Sequence, residues 1–341
     1  MLRQSLLYLS DNQTLRRTVS EARLSRRLVD RFVAGETLDE AIAVSRLLNE
    51  SGLPVSLDHL GEAVITKEEA LSACDMAIRS VERIAVDGID ANISVKVTQL
   101  GLDIEEDFCL ANLERILRRA NELATDDGEI FVRLDMESTD YTEKTIQLVE
   151  ALWGRGFRNV GTVLQSYLRR TPGDVKRLNA LGSRVRLVKG AYNESEKIAF
   201  PDKFDVDDMF VEEMKLLLTD GVYPAIATHD EQMISATRRF AFEQGIPRDS
   251  FEFQMLYGVR RDLQQRLREE GYKVRIYVPY GVSWYPYLMR RMAERPANLL
   301  FLATSVAKES PLGRAARPVA VGLGVVAGAL AASAWRGRNS K

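Results

Sequence analysis

Apolar runs of seven to nine residues alternate with longer amphipathic stretches from residue 54 to residue 280. Short β-branched runs between segments of helical period indicate strands that alternate with helices around a parallel sheet. The eight runs lie at residues 54–60, 93–100, 129–137, 159–167, 184–192, 223–230, 251–257 and 273–280. Eight βα units predict an α/β fold, a closed (β/α)8 barrel of the TIM type.

The helical stretches carry start and stop signals. Thr66 and Glu69 have the spacing of a capping box at the start of the first long helix. Seven glycines fall between a helical stretch and the next strand, where a helix C-cap favours them: Gly88, Gly128, Gly156, Gly182, Gly221, Gly245 and Gly271. These signals predict a barrel domain over residues 51–305.

Two segments lie outside the eight units. Residues 1–50 are rich in polar side chains and predict two or three helices, which we expect to pack on the barrel as an N-terminal arm. In the tail, residues 306–341, an uncharged run at 318–335 has arginines on both sides. With about 17 apolar or small residues, the run is at the lower limit for crossing a bilayer. A membrane-associating helix, a helix packed on the protein and a disordered tail are the three alternatives.

Composition narrows the class of function. The chain has 341 residues, 45% of them hydrophobic and 28% charged, and a formal net charge of -2. It therefore has no basic field for nucleic acid, and we expect a small-molecule substrate. Two cysteines, Cys74 and Cys109, and two histidines, His59 and His229, show no disulfide or metal-ligand spacing. We expect no metal, and a reducing compartment such as the cytoplasm.

Polar residues cluster at the predicted strand ends, where barrels of this type build their active sites. They are His59, Lys96, Asp135, Gln165, Arg186, Lys189, His229, Gln254 and Tyr277. For any one of them a structural role is an equal alternative, as for an ion pair between Lys96 and Asp135. Their coincidence across many strands favours a polar site, because buried charges are costly unless they are paired or bound to a ligand.

The fifth strand ends in a segment suited to a large ligand. After Arg186 and Lys189, the small residues Gly190 and Ala191 would let backbone N–H groups approach a phosphate-bearing cofactor closely. A plain tight turn is the alternative, but it explains only the glycine.

Residues 280–298, YGVSWYPYLMRRMAERPAN, combine aromatic rings with two adjacent arginines. A helix that starts near Trp284 places Tyr287, Arg290, Arg291 and Glu294 on one face. Guanidinium groups bind carboxylates with two parallel hydrogen bonds, so this face predicts a site for a small carboxylate. The alternative is a surface helix with an ordinary Arg290–Glu294 pair.

Together these motifs resemble those of the proline dehydrogenases, FAD-dependent (β/α)8 enzymes that open proline catabolism. The single-domain length resembles the monofunctional bacterial form. The resemblance runs from about Lys96 to Asn298 and rests, in order, on VKVTQLG, RLDME, GTVLQSYLRRT, VRLVKGAY, ATHD, EFQMLYG and RIYVPYG with YLMRRMAERPAN.

The resemblance implies a substrate pocket of eight residues: Lys96, Asp135, Leu256, Tyr277, Tyr287, Arg290, Arg291 and Glu294. Lys96 and the two arginines would bind the proline carboxylate, and Glu294 would orient the arginines. Asp135 would lie beside Lys96, and the leucine and the tyrosines would pack around the proline ring.

It also implies ten cofactor-binding residues: Gln165, Arg186, Val188, Lys189, Gly190, Ala191, Tyr192, Thr228, His229 and Gln254. Arg186 would reach the flavin ring near its reacting nitrogen, and Gln165 would hydrogen-bond the ring edge. Thr228 and His229 would approach the FAD diphosphate. At the end of ATHD this chain departs from many relatives, because it has Asp230 where they usually have Asn.

The implied reaction is hydride transfer from C5 of L-proline to flavin N5, giving Δ1-pyrroline-5-carboxylate on the way to glutamate. A quinone is the implied electron acceptor, and a pyrroline-5-carboxylate dehydrogenase is the implied functional partner. The run at residues 318–335 would then hold the enzyme at the inner face of the membrane. Two rivals stay open: a lyase in which Lys96 or Lys189 forms a Schiff base, and a membrane-tethered barrel that binds an amino acid as a sensor.

Overall fold

Eight parallel strands close into a barrel in chain order, as the sequence predicts. The structure, a computed structural model, describes residues 29–61, 64–124 and 128–288. The strands are β1 Val55–His59, β2 Ala91–Lys96, β3 Val132–Asp135, β4 Val160–Gln165, β5 Val185–Val188, β6 Ala225–Ala227, β7 Glu252–Leu256 and β8 Lys273–Tyr280. Pairing of β8 with β1 closes the ring.

Helices cover the outside of the barrel and alternate with the strands. They are α1 Leu38–Glu50, before β1, and then α2 Lys67–Asp87, α3 Glu106–Glu122, α4 Thr139–Gly154, α5 Thr171–Leu181, α6 Lys203–Asp220, α7 Glu231–Glu243 and α8 Arg261–Glu269. Residues 284–288, after β8, are also helical. No helix within the described ranges is long and apolar enough to cross a membrane.

Capping chemistry sets several of these helix ends. The predicted capping box of Thr66 and Glu69 is formed at the start of α2. Gly88 and Gly182 end α2 and α5 in the left-handed conformation that glycine adopts without strain. The prediction for Gly128 is wrong, because α3 ends earlier, with Leu123 as its C-cap.

Alternation along each strand separates an apolar outer layer from a polar interior. In β2, Ile93 and Val95 belong to the apolar core between strands and helices. Ser94 and Lys96 lie on the opposite face and form hydrogen bonds across the barrel interior. Hydrophobic burial therefore stabilises the wall of the barrel, and the interior is left for polar groups.

Residues 29–50 are the described part of the predicted N-terminal arm. The Ala34 amide donates to the carbonyl of Pro279 at 2.8 Å, and the Gly281 amide donates to the carbonyl of Gly35 at 2.9 Å. The segment before α1 is thus fixed to the end of β8. Residues 1–28 and the predicted tail at 306–341 lie outside the described residues.

Candidate active site

Arg186 of β5 is the centre of the polar network inside the barrel and is only 5% exposed. Its Nη1 donates to Asp135 at 2.7 Å, its Nη2 donates to the Ser94 hydroxyl at 3.0 Å, and its Nε donates to Gln254 Oε1. The guanidinium carbon lies 5.1 Å from the centre of the Tyr277 ring. Partners on four other strands therefore hold this charge in one orientation.

Asp135 at the end of β3 accepts a second hydrogen bond, from the Tyr277 hydroxyl at 2.6 Å. Burial raises the pKa of Tyr277 well above its usual value, and the neighbouring Asp135 carboxylate raises it further. The Tyr277 hydroxyl therefore stays neutral and donates a hydrogen bond to the Asp135 carboxylate. The two side chains fix each other between β3 and β8.

Lys96 forms a buried ion pair with Asp58 of β1, with 2.8 Å between Nζ and Oδ1. In the strand register Lys96 is the partner of Asp135, as the family resemblance implies. The ion pair suggested between these two residues is nevertheless wrong, because Asp135 pairs with Arg186 at 2.7 Å. Sequence reasoning missed Asp58, and the available signal was a lone carboxylate inside the apolar run of the first strand.

A second layer of charges lies deeper in the barrel. Glu252 is 2% exposed, and the N–H at Nε of Arg275 donates one bifurcated hydrogen bond to its two carboxylate oxygens, at 3.0 Å each. Burial is the largest single effect on the pKa of Glu252 and would raise it, but Arg275, Gln254 and Arg133 together outweigh burial and the pKa is lowered. Gln254 donates to Glu252 and accepts from Arg186, so it links this layer to the site above. The sequence analysis did not predict Glu252 and Arg275 as site residues either.

Gln165 at the end of β4 carries an unusual polar atom. The side chain is 3% exposed, and its Nε2 donates to the Glu137 carbonyl at 3.2 Å. Its buried Oε1 has no hydrogen-bond partner among the residues that the structure describes. An unpaired buried acceptor costs about 1–3 kcal/mol, and a bound ligand or water is its usual explanation.

The turn after β5 is built around Gly190. Its φ is +106°, and a Cβ added there would lie 2.2 Å from a carbon of the Tyr167 ring. Backbone approach at this point therefore requires glycine. The preceding Lys189 pairs with Asp207 and, at 2.8 Å, with Asp230.

The ATHD segment after β6 is ordered by its own polar groups. His229 accepts from the Leu256 amide at its Nε2, at 2.9 Å, which fits a neutral ring with the proton on Nδ1. The Thr228 hydroxyl accepts from the Asp230 amide at 3.0 Å, and Asp230 caps α7 by accepting from Gln232. Burial would raise the pKa of Asp230, but its contact with the Lys189 ammonium is among those that lower it.

Known proteins resemble this chain in sequence and in fold. The family model "Proline dehydrogenase" matches residues 41–304. Proline dehydrogenase 1 of Bacillus subtilis (strain 168) is 40% identical over 309 residues, which cover 91% of this chain and 100% of that protein. The chain belongs to the proline dehydrogenase family. It is therefore an oxidoreductase, which confirms the predicted enzyme class.

Further relatives of the proline dehydrogenase family agree. Proline dehydrogenase of Deinococcus radiodurans is 41% identical over 285 residues, covering 82% of this chain and 90% of that protein. The crystal structure of proline utilization A from Bdellovibrio bacteriovorus, inactivated by N-propargylglycine, matches with a TM-score of 0.73 and 27% identity. The match covers 84% of this chain and 34% of that longer one.

Within this family frame, the contacts above bring together Lys96, Asp135, Arg186, Gln254 and Tyr277 of the predicted site residues. Leu256 and Val188 lie half-buried at the ends of β7 and β5, and Tyr287 lies buried on the helical residues 284–288. Ala191 and Tyr192 are half-buried after Gly190. The predictions for Arg290, Arg291 and Glu294 fall outside the described residues.

Proposed function

We propose that the enzyme oxidises L-proline to Δ1-pyrroline-5-carboxylate with FAD as its cofactor, as the first step toward glutamate. Membership of the proline dehydrogenase family supports the substrate. The observation that carries the cofactor is the unpaired, buried Oε1 of Gln165 at the end of β4. An N–H group at the edge of a flavin ring would supply the hydrogen bond that this oxygen lacks.

Two further features fit a flavin nucleotide. Gly190 lets the turn after β5 pack directly against the Tyr167 ring, and an added Cβ would force this predicted cofactor-lining turn to shift. Lys189 supplies a positive charge at the same turn for a diphosphate, although Asp207 and Asp230 share that charge. Residues on β4, β5 and β6 would therefore hold the cofactor along one side of the barrel mouth.

Bound there, FAD would accept the hydride from proline C5 at its N5 atom. The protein supplies fixed charges and substrate orientation. Arg186 is held by Asp135, Ser94 and Gln254, so its positive charge needs no rearrangement during the reaction. Tyr277 is fixed by its hydrogen bond to Asp135, so its ring presents a rigid wall for the proline ring.

The carboxylate of the substrate needs cations that can reach it. Lys96 is one, and its pairing with Asp58 fixes the direction of its ammonium group. Arg290 and Arg291 stay the predicted bidentate partners of the carboxylate, with Glu294 to orient them. Leu256 and Tyr287 would complete the apolar wall around the ring.

The first test is an absorbance spectrum of the purified protein before and after anaerobic addition of L-proline. We expect oxidised flavin bands that bleach with proline. A flavin that resists proline would move the substrate to another cyclic or secondary amine. A protein without flavin that cannot be reconstituted with FAD would refute the cofactor.

The substrate cations are tested by steady-state kinetics with Arg290→Lys and Arg291→Lys. Lysine keeps the charge but loses the two-pronged hydrogen bond, so we expect KM for proline to rise by about tenfold or more. Arg239→Lys, at an exposed position on α7, is the matched control. Equal KM values in all four proteins would exclude the arginine pair from substrate binding.

The lyase alternative requires a lysine amine that is free to attack a carbonyl. Lys96 is instead ion-paired with Asp58, and Lys189 with Asp207 and Asp230. Borohydride trapping with substrate separates the two functions, since only a lyase would form a lysine adduct. Turnover with an artificial electron acceptor separates the enzyme from an amino-acid sensor.

The electrons would pass to a quinone-type acceptor, and a pyrroline-5-carboxylate dehydrogenase would consume the product. We place the enzyme on the cytoplasmic face of the membrane, with residues 318–335 as the contact. Deletion of residues 318–341 should leave flavin reduction by proline intact and weaken sedimentation with vesicles. Unchanged sedimentation would exclude the tail as the membrane contact.

A further inference from the structure

The segment between β5 and α6, residues 189–202, is called here the cofactor loop because it contains the predicted FAD contacts up to Tyr192. Its second half is fixed to the segment that follows β4. The Arg169 amide donates to the Ile198 carbonyl at 3.0 Å, and the Phe200 amide donates to the Tyr167 carbonyl at 2.8 Å. This half of the loop therefore forms a short backbone ladder.

The first half of the cofactor loop reaches in the other direction, across β4 to α4. Glu194 Oε1 accepts a hydrogen bond of 2.9 Å from the Thr139 amide, 55 residues away in the chain. Thr139 is the first residue of α4, and its N-cap residue Ser138 forms no side-chain capping bond. Glu194 therefore supplies from another element the acceptor that the start of α4 lacks.

A carboxylate suits this position for electrostatic reasons. The first amides of a helix carry a partial positive charge, and an acidic group that accepts from them is stabilised by both the hydrogen bond and the dipole. Glu194 is partly buried, whereas Glu196, two residues further on, is exposed. The two glutamates of one loop thus differ in their surroundings.

The junction between β3 and α4 also holds the Gln165 side chain. Its Nε2 donates to the carbonyl of Glu137, two residues before Thr139. The junction between β3 and α4 therefore contacts both the cofactor loop and Gln165. The unpaired Oε1 of Gln165 is the predicted contact for the edge of the flavin ring.

The start of the loop is held beside Gln165, because the Tyr167 amide donates to the Lys189 carbonyl at 2.9 Å. Movement of Glu194 away from α4 would therefore shift the later predicted cofactor contacts, up to Tyr192, relative to Gln165.

We infer that Glu194 is a positioning residue for the cofactor: its carboxylate holds the cofactor loop against α4 and so slows the release of FAD. This inference rests on the proposed function. A charged acceptor on a backbone amide changes a local closing equilibrium by about tenfold. The loop stays attached through its second half when this contact is lost, so the protein as a whole remains folded.

The test compares Glu194→Ala and Glu194→Gln with the matched control Glu196→Ala in the full-length holoenzyme. FAD release is followed by the recovery of flavin fluorescence after dilution. Hydrogen exchange is measured on a peptide that contains the Thr139 amide. We expect about tenfold faster FAD release and faster exchange in Glu194→Ala, an intermediate effect in Glu194→Gln, and wild-type behaviour in Glu196→Ala.

The glutamine variant distinguishes positioning from simple loss of packing, because glutamine keeps the acceptor and the shape but not the charge. FAD release from Glu194→Ala at the wild-type rate would overturn the inference while leaving the proposed function intact. Equal acceleration in Glu196→Ala would also overturn it, since any loop glutamate would then suffice. A wild-type protein that takes up no FAD would refute the proposed function itself, together with the cofactor role of Glu194.

Discussion

Glu213 of α6 should make this protein less stable as the pH rises. The side chain is 0% exposed, and neither carboxyl oxygen has a hydrogen-bond partner within the described part of the chain. Burial raises the pKa of Glu213 from 4.5 to about 8, and the nearby Ser166 hydroxyl lowers it only in part. The folded protein therefore keeps this proton at neutral pH, whereas the unfolded chain releases it.

The sign follows from the proton count. Between pH 4.5 and about 8 the folded state binds one more proton than the unfolded state, so the free energy of unfolding falls as pH rises. At about 1.4 kcal/mol per pH unit, the loss accumulates to about 5 kcal/mol across this window. At pH 7 the cost is about 3 kcal/mol.

The perturbation is Glu213→Gln, which removes the titrating group and keeps its shape. Urea unfolding at saturating FAD, measured at pH 5, 7 and 8.5, gives the free energy at each pH. We expect the variant to match wild type within about 1 kcal/mol at pH 5 and to exceed it by about 3–5 kcal/mol at pH 8.5. Glu212→Gln, on the neighbouring exposed residue, is the control and should follow wild type.

Parallel stability curves for wild type and Glu213→Gln across this range would refute the reasoning. They would mean that Glu213 ionises in the folded state without cost, and so that water or a local rearrangement solvates it. A difference that is already complete at pH 5 would instead indicate an effect of packing, with no part for titration.

Three further predictions concern the site. Gly190→Ala should lose FAD, seen as a lower flavin content after purification, because φ is +106° and the added Cβ would overlap a tyrosine ring; full flavin occupancy would contradict this. Tyr277→Phe removes the hydroxyl that donates to Asp135 Oδ2. We expect kcat/KM for proline to fall by about 10–100-fold without loss of flavin, because a buried acceptor left without its donor costs about 1–3 kcal/mol. Asp58→Asn removes the carboxylate that pairs with the buried Lys96 ammonium at 2.8 Å and should lower the free energy of unfolding by about 3–5 kcal/mol, measured by urea unfolding. A smaller effect would show that another group or water compensates Lys96.

The sequence alone determined the wall of the barrel. The eight strands and the start of α2 at Thr66 follow from short-range patterns of apolar residues and caps. The candidate site followed in part for the same reason, since strand-end residues such as Arg186 and Tyr277 can be read from the ends of apolar runs. The wrong prediction of a C-cap at Gly128 concerned only the residue at which α3 ends.

Only the tertiary structure decided which polar groups meet. The inward side chains lie across a closed ring, and their partners depend on strand tilt and on the pairing of β8 with β1, which no local pattern records. Lys96 therefore pairs with Asp58 on one side, while Asp135 pairs with Arg186 and Tyr277. The same holds for the contact of Glu194 with α4, which joins residues far apart in the chain through the packing of neighbouring βα units.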